Sequence, residues 1–278
     1  AHCSSAEVRL FADKAKDKKI PVINTTVPND GGTNNNPYFV VLNPTLRTQC
    51  QGVYKFVQNN YPTRKIVVFR KKGTLEDAVK SYFEESVKSV EGTALKIKYV
   101  DLVDSFSVAD LRKQLDTVSQ TVCLAGSFDV AFGDRLIKQL AGLNLKKYRS
   151  VVIGMPTWET LKGLSKPEYK GMEIIYSTPF HNAKNDATSK RIIHYFDKKL
   201  YQRATDISFR GFEVTYKFAK LLLQHGKDFS SNLGSHQYTL FTEYDLQPVL
   251  SRDMTLNYFE NKQLYFLKWL DGVMRVVE

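Results

Sequence analysis

The sequence predicts an α/β fold in which mostly parallel sheets are sandwiched by helices, with antiparallel strands towards the C-terminus. Two observations carry this. From residue 65 to residue 176, short continuously apolar runs alternate with helical patterns, as in a parallel sheet covered on both faces. After Gly234 the pattern changes to short alternating runs, with tight-turn chemistry at Asn261 and Asp271-Gly272. A length of 278 residues suits two such lobes or one large domain.

The elements follow in order. Val8, Leu10, Phe11 and Ala15 recur at helical spacing, with Ser4 or Ser5 as N-cap and Lys18-Lys19 closing the helix. Residues 20–23 read as a short buried strand, 24–36 as a polar loop, and 38–42 as apolar again. Asn43-Pro44-Thr45 opens a helix carrying Val53, Phe56 and Val57, which ends before Pro62. Then come a strand over 65–69 and an amphipathic helix over 74–90, with Leu75, Val79, Phe83 and Val87 on one stripe. Further strands are expected over 95–100, 121–125, 150–154 and 172–176. Helices are expected over 107–118, 130–143 and, briefly, 158–164. Two helices follow, over 186–202 and 208–226. The C-terminal strands are expected over 237–242, 255–259, 263–269 and 273–277, as an antiparallel meander.

Composition narrows the function classes. No run approaches the roughly eighteen apolar residues of a membrane span. The first residues carry no signal-peptide pattern, and without an initial Met the chain reads as a mature fragment. The net charge of +11 invites a polyanion partner. Its Lys and Arg are spread along the chain in short clusters at 14–19, 70–72 and 146–149, so no nucleic-acid partner is expected. Lipid headgroups or a cell-wall polymer attract such charge equally well. Cys3, Cys50 and Cys123 form no disulfide framework, and Cys123 reads as a core residue.

Catalytic motifs are missing from the sequence. It has no Gly-x-Ser-x-Gly elbow, phosphate-cradling loop or His-Glu-x-x-His pair. Its five His residues, at 2, 181, 194, 225 and 236, share no metal-ligand spacing, so neither metal nor cofactor is expected. The sequon Asn24-Thr25-Thr26 is better read as chance. What remains are strand-to-helix junctions, where doubly wound sheets hold ligands. They are His2-Cys3-Ser4-Ser5, Asn24-Thr25-Thr26, Gly73-Thr74, Gly126-Ser127-Phe128-Asp129 and Gly154-Met155-Pro156-Thr157-Trp158. Glycine lets backbone approach a ligand, and Ser or Thr at a helix start accompanies N–H groups that favour a carboxylate. Five such junctions without a catalytic set suit binding better than turnover.

The order of these motifs resembles type I periplasmic binding proteins, specifically the branched-chain amino-acid binding proteins of bacterial ABC transporters. The resemblance rests on Cys3-Ser4-Ser5, on residues 20–26, on Asn36-Pro37-Tyr38-Phe39 and on the strands ending at Phe69, Gly126 and Gly154. It also rests on the return helix beginning at Arg210-Gly211-Phe212. Residues 28–32 with 43–46 look like a Bacteroidetes group that follows peptidoglycan-binding LysM modules. The resemblance implies two lobes: 1–63 with 180–235, the first lobe N-terminally truncated, and 64–179 with 236–278. It implies a non-enzyme of the periplasm or cell envelope that captures a small polar ligand by hinge closure. Ser4, Ser5, Thr25 and Thr26 would face that ligand from lobe one, and Thr74, Ser127, Phe128, Thr157 and Trp158 from lobe two. The hydroxyl-rich junctions suit a ligand carboxylate, whereas Pro156-Thr157 stands where the family carries an acidic residue that grips an amino group, a departure that favours the alternative below. A membrane transporter, peptidoglycan or a second copy of the chain are the further partners implied; the alternative is an envelope interaction module without transport.

Overall fold

Eleven strands fall into two sheets among the described residues, 3–277, of the computed structural model. The chain divides into two units, Ala1–Leu46 with Pro179–Gln263 and Arg47–Thr178 with Leu264–Glu278.

The first unit carries α1 (Val8–Lys18), β1 (Val22–Asn24) and β2 (Phe39–Val41). The helix buries Val8, Ala12 and Ala15, so the buried stripe keeps two of the expected residues, gains Ala12 and leaves Leu10 exposed. Lys19 takes a left-handed conformation and ends the helix. The C-terminal part of this unit supplies α6 (Ala187–Tyr195), which runs into a π turn over Phe196–Leu200, and α7 (Asp206–His225). It also supplies β8 (Leu246–Leu250) and β9 (Leu256–Asn261). Strand order is β1-β2-β9-β8, parallel except for the β8–β9 pair. One core cluster gathers Val40, Leu42, Phe218, Leu221 and Tyr244, and another Val8, Ala12, Phe39, Val41 and Tyr258. Alternate residues of β2 thus serve opposite faces of the sheet.

The second unit begins with α2 (Leu46–Asn60) and continues through β3 (Ile66–Arg70), α3 (Thr74–Ser89), β4 (Ile97–Asp101) and α4 (Val108–Arg112). Next come β5 (Thr121–Ala125), α5 (Val130–Asn144), β6 (Ser150–Gly154) and β7 (Glu173–Thr178). The chain returns at its end as β10 (Tyr265–Leu270) and β11 (Val273–Val277). The seven strands lie in the order β11-β10-β7-β6-β5-β3-β4. The five from β3 to β7 are parallel, and β10 and β11 add antiparallel pairs at the β7 edge. Strands β3, β5 and β6 are buried at every residue, as two covered faces require. Val67, Phe69, Cys123 and Val152 join α5 in one cluster, whereas α2 packs through Phe56 on Phe266 of β10, ring centroids 4.0 Å apart. Asp271 and Gly272 both have positive φ, closing the β10–β11 turn as expected.

Four expectations need correction. Helix α4 stops at Arg112, where the amides of Gln114 and Leu115 donate three residues back to the Leu111 and Arg112 carbonyls and the chain passes into turns. The segment 158–164 is a 3-10 turn over Pro156–Thr160. Residues 237–242 form no strand; β8 stands further on and contains Pro248, which an edge strand tolerates. The C-terminal strands form no single meander, since β9 hydrogen-bonds in parallel to β2 and only β10 and β11 join the second sheet. Accordingly, α2 falls in the second unit and residues 236–263 in the first, unlike the lobe limits expected from sequence.

Candidate functional site

In the first unit, two junctions carry expected ligand residues. His2 lies outside the described residues. Ser4 does not cap α1 directly: its amide and hydroxyl donate to Glu7 Oε2 at 2.8 and 2.7 Å, and Glu7 occupies the N-cap position. Ser5 is exposed in the same turn. The second junction is organised by Asn24, fully buried at the end of β1. Its Nδ2 donates to the Val27 and Asn29 carbonyls and its Oδ1 accepts from the Val27 amide, so the sequon's asparagine is committed to the fold. This loop holds Thr25 half-buried and Thr26 exposed, and Asn43 Nδ2 donates to the Thr26 carbonyl at 2.7 Å. Cys3 lies beneath, its thiol raised in pKa by burial.

In the second unit, the carboxyl ends of β3, β4 and β5 meet in a network of ion pairs. Arg70, only 7% exposed, donates to Asp101 at 2.7 Å and to Asp77 at 2.6 Å. Lys71 bridges Asp104 and Asp129, each at 2.8 Å. Those carboxylates raise the Lys71 pKa, and Lys71 together with the Phe132 and Ala131 amides lowers that of Asp129. Asp129 is also the N-cap of α5. Thr74 is exposed at the first turn of α3, behind Gly73. Ser127 is fully buried; its hydroxyl donates to Glu76 Oε1 at 2.7 Å and accepts from the Asp129 amide at 3.2 Å. Phe128 next to it is half-buried.

After β6 the two neighbours differ. Trp158 is 0% exposed and belongs to the core cluster beneath α5. The absent side chains of Gly133 and Gly154 make room for its ring. Thr157 is half-buried, and its Oγ1, like the Trp158 Nε1, is buried without a hydrogen-bond partner in the protein. Sequence reasoning missed the acidic and basic groups here: Arg70, Lys71, Glu76, Asp77 and Asp101 follow or flank strand ends, and that position was the available signal. Among the described residues no group of three or more His, Cys, Asp or Glu is arranged to hold a metal ion, and no helix is long and apolar enough to cross a membrane.

A profile of the family described as periplasmic binding protein matches residues 1–232. No curated protein matches the chain. Solved structures do resemble it. The branched-chain amino-acid ABC transporter periplasmic ligand-binding protein of Burkholderia xenovorans is 14% identical, with a TM-score of 0.66 over 100% of this chain and 75% of that one. An ABC transporter substrate-binding protein of Desulfitobacterium hafniense, in complex with Leu, is 11% identical, with a TM-score of 0.61 over 99% and 79%. An ABC transporter solute-binding protein of Rhodopseudomonas palustris, in complex with 3,4-dihydroxybenzoic acid, is 16% identical, with a TM-score of 0.50 over 98% and 74%.

Proposed function

The chain belongs to the periplasmic binding protein family, and from that premise we propose that it captures a small, carboxylate-bearing molecule by closing its two units on it. Capture of this kind is binding, not turnover, and its setting is the periplasm, with an ABC transporter as the membrane partner. The observation that carries the reading is Thr157 Oγ1, a buried hydroxyl at the carboxyl end of β6 with no protein partner. Buried hydroxyls are rarely left unpaired, and a ligand oxygen would complete this one. Ser5, Thr26 and Thr74 offer further exposed hydroxyls at the junctions of their own units, with Ser4, Thr25 and Phe128 beside them. Ser127 contributes through Glu76 rather than by an unshared hydroxyl, and Trp158 by supporting Thr157 from below. The ligands named for two of the structural neighbours, leucine and dihydroxybenzoic acid, both carry a carboxylate.

Thermal unfolding in the presence of amino acids, aromatic acids and cell-wall fragments tests this. At a concentration of about 100 Kd, a bound ligand stabilises by roughly 2.7 kcal/mol, enough for a clear rise in Tm. A panel in which no carboxylate raises Tm would sink the proposal.

One observation favours a second reading. The carboxyl ends of β3 to β5 are already filled by the chain's own ion pairs around Arg70 and Lys71. That arrangement suits an envelope interaction module, peptidoglycan-associated and of the LysM-linked kind, that has kept the scaffold and given up small-molecule transport. Pull-down on purified peptidoglycan, with no response to the carboxylate panel, would select it.

A further inference from the structure

A second cluster of chemistry lies at the opposite, amino-terminal edge of the second sheet. Strands β3, β5, β6 and β7 are neighbours and parallel, so the residues entering them collect on one edge. Arg64 precedes β3, Gln120 precedes β5, Arg149 precedes β6, and Lys170-Gly171 precede β7. With Ser119 and Asn144 they line a hollow of about 600 Å³. A second hollow of about 310 Å³ shares Val118, Ser119 and Arg149 with the first and adds Lys146 and Lys147. Among the described residues, no acidic side chain lines either hollow and none forms an ion pair with these five cations. The nearby carboxylates are committed elsewhere. Asp116 accepts from the Val118 amide and the Ser119 hydroxyl, and Asp271 accepts from the Gly171 amide.

The plain explanation covers only part of this. Lys146 and Lys147 follow the C-terminus of α5, where the helix favours positive charge. Arg64, Arg149 and Lys170 precede strands and do not belong to that helix end. The neutral groups also point to an anion. The Asn144 Oδ1 accepts from the Ser150 amide, which leaves its two N–H donors for something else. A single phosphate is far smaller than the larger hollow, and guanidinium groups match phosphate oxygens two at a time.

We propose that this edge is a binding site for phosphate-rich anions, ligands with two or more phosphate groups close together, separate from the carboxylate site at the other end of the strands. The phosphates can come from a soluble polyphosphate or from lipid headgroups. Val118, 96% exposed, and Leu145, 67% exposed, stand between the cations and would touch a lipid's apolar part.

Calorimetric titration of the full chain with inorganic tripolyphosphate, at two salt concentrations, tests the site. Binding should weaken with salt and fall at least tenfold in the Arg64→Gln/Arg149→Gln variant. The control variant Lys55→Gln/Lys88→Gln, which removes two exposed cations elsewhere in the same unit, should bind as the wild type does. Absence of binding, or equal loss in both variants, overturns the proposal. Co-sedimentation with phosphatidylglycerol vesicles identifies the source. Loss in the Arg64→Gln/Arg149→Gln and Val118→Ser/Leu145→Ser variants assigns the site to a lipid headgroup; binding to tripolyphosphate alone assigns it to a soluble anion.

Discussion

Gly133 and Gly154 show how single residues decide the site's floor. A Cβ on either would run into the Trp158 ring, which has no room to retreat inside the core. Gly154→Ala should therefore destabilise the fold by about 1–3 kcal/mol, read as a lower urea midpoint with an unchanged slope. The same pair explains why Trp158 is legible only in part from sequence. An aromatic residue just after a strand end looks like a ligand platform; Gly154 sits in the same junction, but Gly133, which also seats the ring, lies 25 residues earlier within α5. Asp129 makes a pH prediction at the same scale. Its folded pKa is lowered by Lys71 and by helix amides, so its contribution is present above the unfolded value near 3.9 and is lost as pH falls through the folded pKa. Asp129→Asn should flatten the loss of stability between about pH 5 and pH 2, as measured by thermal melts across that range.

At the scale of elements, the parallel strands were the most legible part. Residues 121–125 and 150–154 read from sequence coincide with β5 and β6, and among the antiparallel strands 273–277 coincides with β11. Strand β8 was hidden by Pro248, and residues 237–242, expected as a strand, are instead held as a loop by tertiary contacts that no local pattern shows. Two charged residues on the buried side of α7 hold that loop. Glu213 accepts from the Phe241 and Thr242 amides and the Tyr244 hydroxyl. Lys217, its pKa lowered by burial, donates to the Ser235 and Gln237 carbonyls at 2.6 and 2.9 Å. Lys217→Met leaves those carbonyls without a donor, and should lower stability by about 1–2 kcal/mol. Amide hydrogen exchange should quicken in residues 235–244 more than in the α7 interior; uniform quickening would show that the lysine does not pin the loop. The α7 N-terminus has a capping box, Thr205 with Ser208, and Thr205→Ala should cost about 1 kcal/mol by the same denaturant assay.

For the whole molecule, periodicity was enough to reveal the α/β class, whereas the division into units was not readable from local pattern. Helix α2 follows the first unit in sequence yet packs with the second, and β9 leaves the C-terminal strands to pair with β2. The hydroxyl groups of the proposed site could be assigned to strand-end junctions from the sequence. Its ion pairs could not, because a solvated surface and a buried network look alike in a list of Lys and Asp. Everything proposed for the function depends on the scaffold still capturing a carboxylate. The most direct test is a thermal-shift panel of amino acids and aromatic acids run on the wild type and on Ser5→Ala/Thr26→Ala. Both side chains are exposed, so their loss should leave the unliganded Tm within a degree or two. At least one carboxylate should stabilise the wild type, with most of that shift gone in the variant. A wild type whose Tm no carboxylate raises, or an equal shift in both proteins, would contradict that capture.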